Sequence, residues 1–250
     1  MRTHTAERGN VLFYILIAVA LLAALIFAVA QSGRGNIQQV SEEKARLFAT
    51  EIIQNTGTMA NGVAQLRLRG VRDTEIDFDN PVVSYPNANC TDNTCKLFHP
   101  GGAGLTYSTP DMQWLDETAA AATSFGTVGG LIGQWYFPYN TCVWQVGTGG
   151  DNCHADTGDV TELMVWLPWV RREVCIQINE LLGVPNPSNE PPAIGGTMIN
   201  TTAPKFAGTY PTGVHVHVQM PTVTAACVYH SSAPAAPGLG YFYYKVLIVR

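Results

Sequence analysis

The six cysteines are the residues of this sequence with the most recognisable chemistry. All lie in the part of the chain that follows an apolar N-terminal segment, and an even cysteine count in an exported domain predicts disulfides. Six cysteines allow about 15 pairings, and we favour those in which the first two pairs close short local loops. The alternative is buried free thiols in a reducing compartment. The predicted pairs are Cys90–Cys95, Cys142–Cys153 and Cys175–Cys227.

Two histidines offer the first candidate metal site. His215 and His217 are two residues apart on a predicted strand, so both side chains point to one face. Cys227 and His230 follow closely in sequence, and nitrogen and sulfur atoms are typical zinc ligands. A solvated strand face in which His alternates with Val explains the same pattern, and we favour that interpretation.

An acidic, glycine-rich stretch at 149–159 offers the second candidate metal site. Asp151, Asp156 and Asp159 supply oxygen atoms of the kind that Ca²⁺ binds. Their spacing does not match the EF-hand rule, and a disulfide-closed turn with solvated carboxylates accounts for the composition equally well. We therefore expect no cofactor, with Ca²⁺ as the alternative.

Catalytic and nucleic-acid-binding patterns are absent from the sequence. It contains no Gly-x-Ser-x-Gly, no phosphate-binding glycine loop and no His-Glu-x-x-His, so we expect a protein that is not an enzyme. The net charge is −5, and the 14 Lys and Arg residues form no run, which argues against nucleic acid as a partner.

The apolar run at 11–30 contains no charged residue. A helix of this length spans ~30 Å, the thickness of a bilayer's hydrocarbon core, so we predict a transmembrane helix at 10–32. Arg2 and Arg8 before the segment favour a cytoplasmic N-terminus. The expected location is a single-pass inner-membrane protein whose C-terminal domain lies in the periplasm or at the cell surface. A secretory signal cleaved after Ala30 is the alternative.

Helical periodicity continues at 33–70 and predicts an amphipathic helix or stalk that ends at Gly70. Polar residues occupy the opposite face of this helix. The apolar positions at helical spacing are Ile37, Val40, Leu47, Phe48, Ile52, Met59, Val63 and Leu66.

The residues Glu7-Arg8-Gly9-Asn10, placed directly before the apolar run, resemble the leader of type IV prepilins. The resemblance covers about the first 70 residues. It implies a leader peptide at 1–9, which a prepilin peptidase removes between Gly9 and Asn10, and a retained helix that packs with other pilin-like subunits. The fifth mature position is Tyr14, where this family usually has Glu. That departure argues for a minor subunit rather than a bulk filament subunit.

The remaining chain, 71–250, is predicted to form the exported α+β domain. Pro110 and Pro168 mark two short helices, ending near Ala122 and at Gly183. Three strands close the chain, and the last, at 241–249, is apolar on both faces, which predicts a central position in the sheet. The expected fold is a long N-terminal helix, transmembrane and then amphipathic, packed on an antiparallel β-sheet head with two short helices and large disulfide-tied loops.

Taken together, these features predict a minor pilin-like or pseudopilin-like structural subunit of a type IV pilus or a type II secretion-like apparatus. The expected partners are the lipid bilayer, other pilin-like subunits and a prepilin peptidase. The alternative is an anchored or secreted adhesin-like binding protein of the envelope, with no role in a filament.

Overall fold

The computed structural model describes residues 10–117, 132–147, 161–194, 205–210, 216–230 and 240–250. Within the first helix, the side chains described are those of 13–24, 26 and 41–68. The chain divides into two compact units, Met1–Lys44 and Ala45–Arg250. Within these residues the α-helices are α1 (Asn10–Leu68) and α2 (Arg172–Leu182). The strands in the same ranges are β1 (Thr141–Val143), β2 (Leu163–Val170), β3 (Ala193–Ile194), β4 (Val216–Val218), β5 (Ala225–His230) and β6 (Tyr241–Ile248).

A four-stranded sheet forms the centre of the second unit. Its strand order is β2-β6-β5-β3, so the last strand of the chain occupies a central position, as its two apolar faces predicted. β6 pairs antiparallel with β2 and β5, whereas β3 runs parallel to β5. A separate pair, β1 and β4, is also parallel.

The 45–68 part of α1 packs on one face of this sheet. Ile52, Val63 and Leu66 are fully buried in a cluster that also contains Tyr243 of β6. The spacing of these residues matches the 3.6-residue period of a helix, which is why one stripe of the helix faces the core. The hydroxyls of Thr56 and Tyr243 share a buried hydrogen bond of 3.0 Å within this cluster.

The opposite face of the sheet is covered as well. Phe242, Tyr244 and Val246 of β6 alternate with the residues that face α1, and they pack in a second cluster with Val143 of β1 and Val218 of β4. A strand covered on both faces is apolar along most of its length, and Lys245 is the one charged residue of β6.

Helix α2 is fixed to strand β5 by covalent and polar contacts. Cys175 forms a disulfide with Cys227. Asn179, which is fully buried, donates to the carbonyl of Cys227 at 2.8 Å and accepts from its N–H at 2.8 Å. The helix ends at Gly183, whose φ of 70° lies in the left-handed region that favours glycine.

Several elements differ from the sequence-based expectation, so the predicted fold class is wrong. The sheet is mixed rather than antiparallel. α2 begins after Pro168, because 163–170 forms a wholly buried strand that accommodates Pro168 at a register shift. In the described part of the predicted helix at 109–122, the structure has a 3-10 turn, Met112–Trp114, followed by non-helical residues, and only Glu117 is α-helical.

The membrane predictions are also corrected. Among the helices in the described part of the chain, none is both long enough and apolar enough to cross a bilayer. The predicted transmembrane helix at 10–32 and the single-pass inner-membrane location are therefore wrong.

Candidate functional site

The segment 13–26 of α1 exposes large apolar side chains. Phe13, Tyr14, Ile15 and Leu16 are 58–64% exposed. Successive helical residues advance by about 100° around the axis, so these four neighbours cover every side of the helix. The other large apolar side chains exposed in the segment are Ile17, Val19, Leu21, Leu22 and Ile26.

An apolar surface of this extent is unusual for a monomer in water. Soluble monomers rarely expose contiguous apolar patches larger than a few hundred Å², and covering one large aliphatic or aromatic side chain gains about 1.5–3 kcal/mol. The ring of Tyr14 contacts that of Phe13 edge to face, with centroids 6.3 Å apart. Tyr14 occupies the position at which type IV pilins usually have Glu, and its phenol cannot replace a carboxylate in an ion pair with an amine. We name residues 13–26 the apolar segment.

Most candidate metal ligands predicted from the sequence lie outside the described residues. This applies to Asp151, Asp156, Asp159 and His215, and to the side chain of His217, whose backbone lies in β4. In the part of the chain that is described, no group of three or more His, Cys, Asp or Glu side chains is arranged to hold a metal ion. The predicted leader cleavage site also falls outside, since neither Gly9 nor the side chain of Asn10 is described.

The cysteines follow the predicted pairing wherever both partners are described. Cys90 pairs with Cys95 and Cys175 with Cys227. Cys142 is not a free thiol, and its predicted partner, Cys153, lies outside the described residues. The first disulfide closes a short surface loop, whereas the second joins α2 to β5.

A groove of about 410 Å³ lies beside β3, the last strand of the four-stranded sheet. The rings of Tyr229 and Tyr241 come from paired positions on β5 and β6, and their centroids are 5.5 Å apart. The remaining lining residues are Pro187, Glu190, Pro191 and Ala193. We name this cavity the tyrosine groove.

The charged residues at the tyrosine groove form one ion pair. The Arg172 Nε atom donates to both carboxylate oxygens of Glu190, at 2.8 and 3.0 Å. The hydroxyl of Tyr241 donates to the same carboxylate at 3.3 Å. Burial, with a smaller contribution from Glu190, raises the pKa of Tyr241 to about 12. The Arg172 hydrogen bond lowers the pKa of Glu190, so both groups keep their ordinary charge states at neutral pH.

The tyrosine groove has no signature in the amino-acid sequence. Its residues come from three separate stretches, around 187–193, Tyr229 and Tyr241, and no spacing rule links them. The prolines between α2 and β3 break the helix and by themselves indicate no binding site. A tyrosine lies near one end of each of two strands, but this predicts a shared site only when the pairing of β5 with β6 is known.

Comparison with known proteins gives no family assignment. No family model, no curated protein and no solved structure matches this chain.

Proposed function

We propose that this chain is a pilin-like structural subunit, a minor component of a helical assembly of the type IV pilus or type II secretion kind. The observation that carries the proposal is the exposure of apolar side chains on every side of the segment 13–26. Such a surface has to be covered in the working state, and neighbouring subunits of the same kind offer a matching apolar helix.

The sequence before the apolar segment supports other pilin-like subunits as the molecules that cover it. Glu7-Arg8-Gly9-Asn10 precedes it and resembles a prepilin leader, and cleavage after Gly9 leaves the whole apolar run at the new N-terminus. Apolar helices that pack together gain mainly van der Waals contacts, which need no particular polar group in the segment.

The second unit supplies the properties expected of a pilin head. The 45–68 part of α1 is built into its core through Ile52, Val63 and Leu66. The disulfides Cys90–Cys95 and Cys175–Cys227 strengthen this unit.

The test is photo-crosslinking with a reactive amino acid introduced at Leu16 or, as the matched control, at Gln54. Leu16 lies in the apolar segment, and Gln54 is exposed on the part of α1 that packs on the sheet. The chain is produced together with a major pilin-like subunit and its assembly machinery. We expect subunit–subunit crosslinks from position 16 that depend on assembly, and few from position 54. Crosslinking that is equal at both positions, or absent from position 16, contradicts the proposal.

The minor role follows from Tyr14, which occupies the fifth position after Gly9. In pilins a Glu at this position pairs with the N-terminal amine of a neighbour during assembly, and a tyrosine ring cannot replace it. We therefore expect the chain produced without another pilin to form no long filaments. Long homopolymers visible by electron microscopy contradict this expectation, and Tyr14→Glu is the variant expected to promote them.

A further inference from the structure

We propose that the tyrosine groove is a binding site for a neutral saccharide, such as the terminal sugar of a glycan. The site combines three observations: two aromatic rings at paired strand positions, a rigid proline-lined wall, and one ion pair with no net charge. The inference does not rest on the assembly role, because it uses none of the residues of the apolar segment.

The tyrosines supply the apolar part of the recognition. A sugar ring presents C–H groups on its faces and hydroxyls at its edge, so it packs against an aromatic ring while its hydroxyls remain free to hydrogen-bond. Tyr229 and Tyr241 are both half-buried, and their ring planes are inclined by 40°. Each tyrosine has an apolar body and a polar tip, which suits a ligand of mixed character.

The prolines supply a stiff part of the groove lining. Pro187 and Pro191 have fixed φ angles, and the N–H of Tyr229 donates to the carbonyl of Pro192 at 2.9 Å, which fixes this stretch against β5. A wall that needs no ordering on binding lowers the entropic cost of association. The volume of about 410 Å³ lies within the range that small-molecule sites have.

The charges favour a neutral ligand over an ionic one. Arg172 and Glu190 neutralise each other, and their side chains remain 41% and 50% exposed. A charged ligand would find no uncompensated partner in this pair and would lose hydration without a matching gain. A hydroxyl group, in contrast, can donate to the Glu190 carboxylate without breaking the ion pair.

The same residues favour binding over hydrolysis. Glycoside hydrolysis by the usual routes needs two carboxyl groups that flank the scissile bond. Glu190 is the only carboxylate among the lining residues that the structure describes. We therefore infer that the groove holds a sugar without cleaving it.

The test is NMR titration of the full chain, labelled at tyrosine, with a panel of neutral hexosides, N-acetylhexosaminides and their disaccharides. We expect saturable shifts of the Tyr229 and Tyr241 ring signals, with a Kd on the order of 1 mM. No ring shift with any panel member up to about 10 mM overturns the proposal. Tighter binding of a proline-rich peptide than of every sugar also overturns it, because aromatic grooves can hold such peptides.

Matched variants separate the groove from a general loss of structure. Tyr229→Leu keeps apolar volume but removes the ring, so we expect about ten-fold weaker binding, whereas Tyr229→Phe keeps most of it. Glu190→Gln is expected to weaken binding several-fold, and Glu173→Gln, an exposed residue of α2 outside the groove, serves as its control. Equal effects of the last two variants, at unchanged thermal stability, overturn the assigned role of Glu190.

Discussion

Apolar side chains are buried in one described part of α1 and exposed in the other. In the 45–68 part, Ile52, Val63 and Leu66 are fully buried in the core of the second unit. In the 13–26 part, Leu16 and Leu21 are 64% and 66% exposed. The difference lies in the sequence pattern, because 45–68 has one apolar stripe and 13–26 is apolar all round. One sheet face can cover an apolar stripe, whereas a helix that is apolar on every side needs several neighbours to cover it.

The largest expected effect comes from placing a charge in each part. Ile52→Asp buries an unpaired carboxylate in the core, and we expect it to cost more than about 4 kcal/mol of the free energy of unfolding. Leu16→Asp is expected to leave this free energy within about 0.5 kcal/mol of the wild-type value, because position 16 is exposed in the monomer. Leu16→Asp is also expected to abolish subunit crosslinking.

Urea unfolding of the soluble fraction of each purified variant measures the change in the free energy of unfolding. Ile52→Val, which removes one methyl group at the same site, is the control and is expected to cost about 0.5–1.5 kcal/mol. Equal destabilisation by Ile52→Asp and Leu16→Asp contradicts the division of α1 into a core part and an assembly part.

The next effect concerns the two described disulfides, both in the second unit. Cys175 and Cys227 are 52 residues apart, and Cys90 and Cys95 are 5 apart. Chain-entropy arguments give about 4 kcal/mol for the longer loop and about 2 kcal/mol for the shorter one. We expect paired Cys→Ala variants to lower the midpoint of thermal unfolding in that order. The reverse order shows that loop length does not govern stability here.

A smaller effect is expected at the buried hydroxyl pair that joins α1 to β6. Thr56 and Tyr243 are fully buried, and their hydroxyls are 3.0 Å apart. Thr56→Val and Tyr243→Phe each leave one hydroxyl without this partner, and a double-mutant cycle should give a coupling of about 0.5–1.5 kcal/mol. Additive effects of the two changes show that the contact contributes nothing beyond its separate parts.

The last expected effect is a change of stability at alkaline pH. Burial raises the pKa of Tyr243 to about 12, above its unfolded value of about 10. The neutral phenol therefore contributes stability that is fully present below about pH 10. We expect this contribution to fall as the pH rises through about 12. Tyr243→Phe should flatten the alkaline decline in the free energy of unfolding, and identical declines for both proteins rule out this residue as a cause.

Parts of the fold and of the chemistry were predictable from local patterns. The helical spacing of Ile52, Val63 and Leu66 predicted the buried stripe, and the apolar run at 241–249 predicted a central strand. Loop length suggested Cys90–Cys95, and the remaining order of the cysteines suggested Cys175–Cys227. Each of these signals resides in a short stretch of sequence and needs no knowledge of distant neighbours.

Other predictions failed because long-range contacts decided the outcome. Pro168 predicted a helix start, yet packing on both faces of the sheet draws 163–170 into β2, and a register shift accommodates the proline. The strand direction of β3 was not predictable either. Its parallel pairing with β5 depends on how the chain returns after α2.

The sequence by itself determined where apolar surface is concentrated, which helix carries a one-sided stripe, and that the cysteines lie in the later part of the chain. Only the tertiary structure decided that Tyr229 and Tyr241 meet beside Glu190, since β5 and β6 must pair before their ends coincide. The physical reason is the distance along the chain over which each interaction acts. Periodicity and capping act within one element, whereas a groove forms from residues whose proximity exists only after non-local strands and loops have packed.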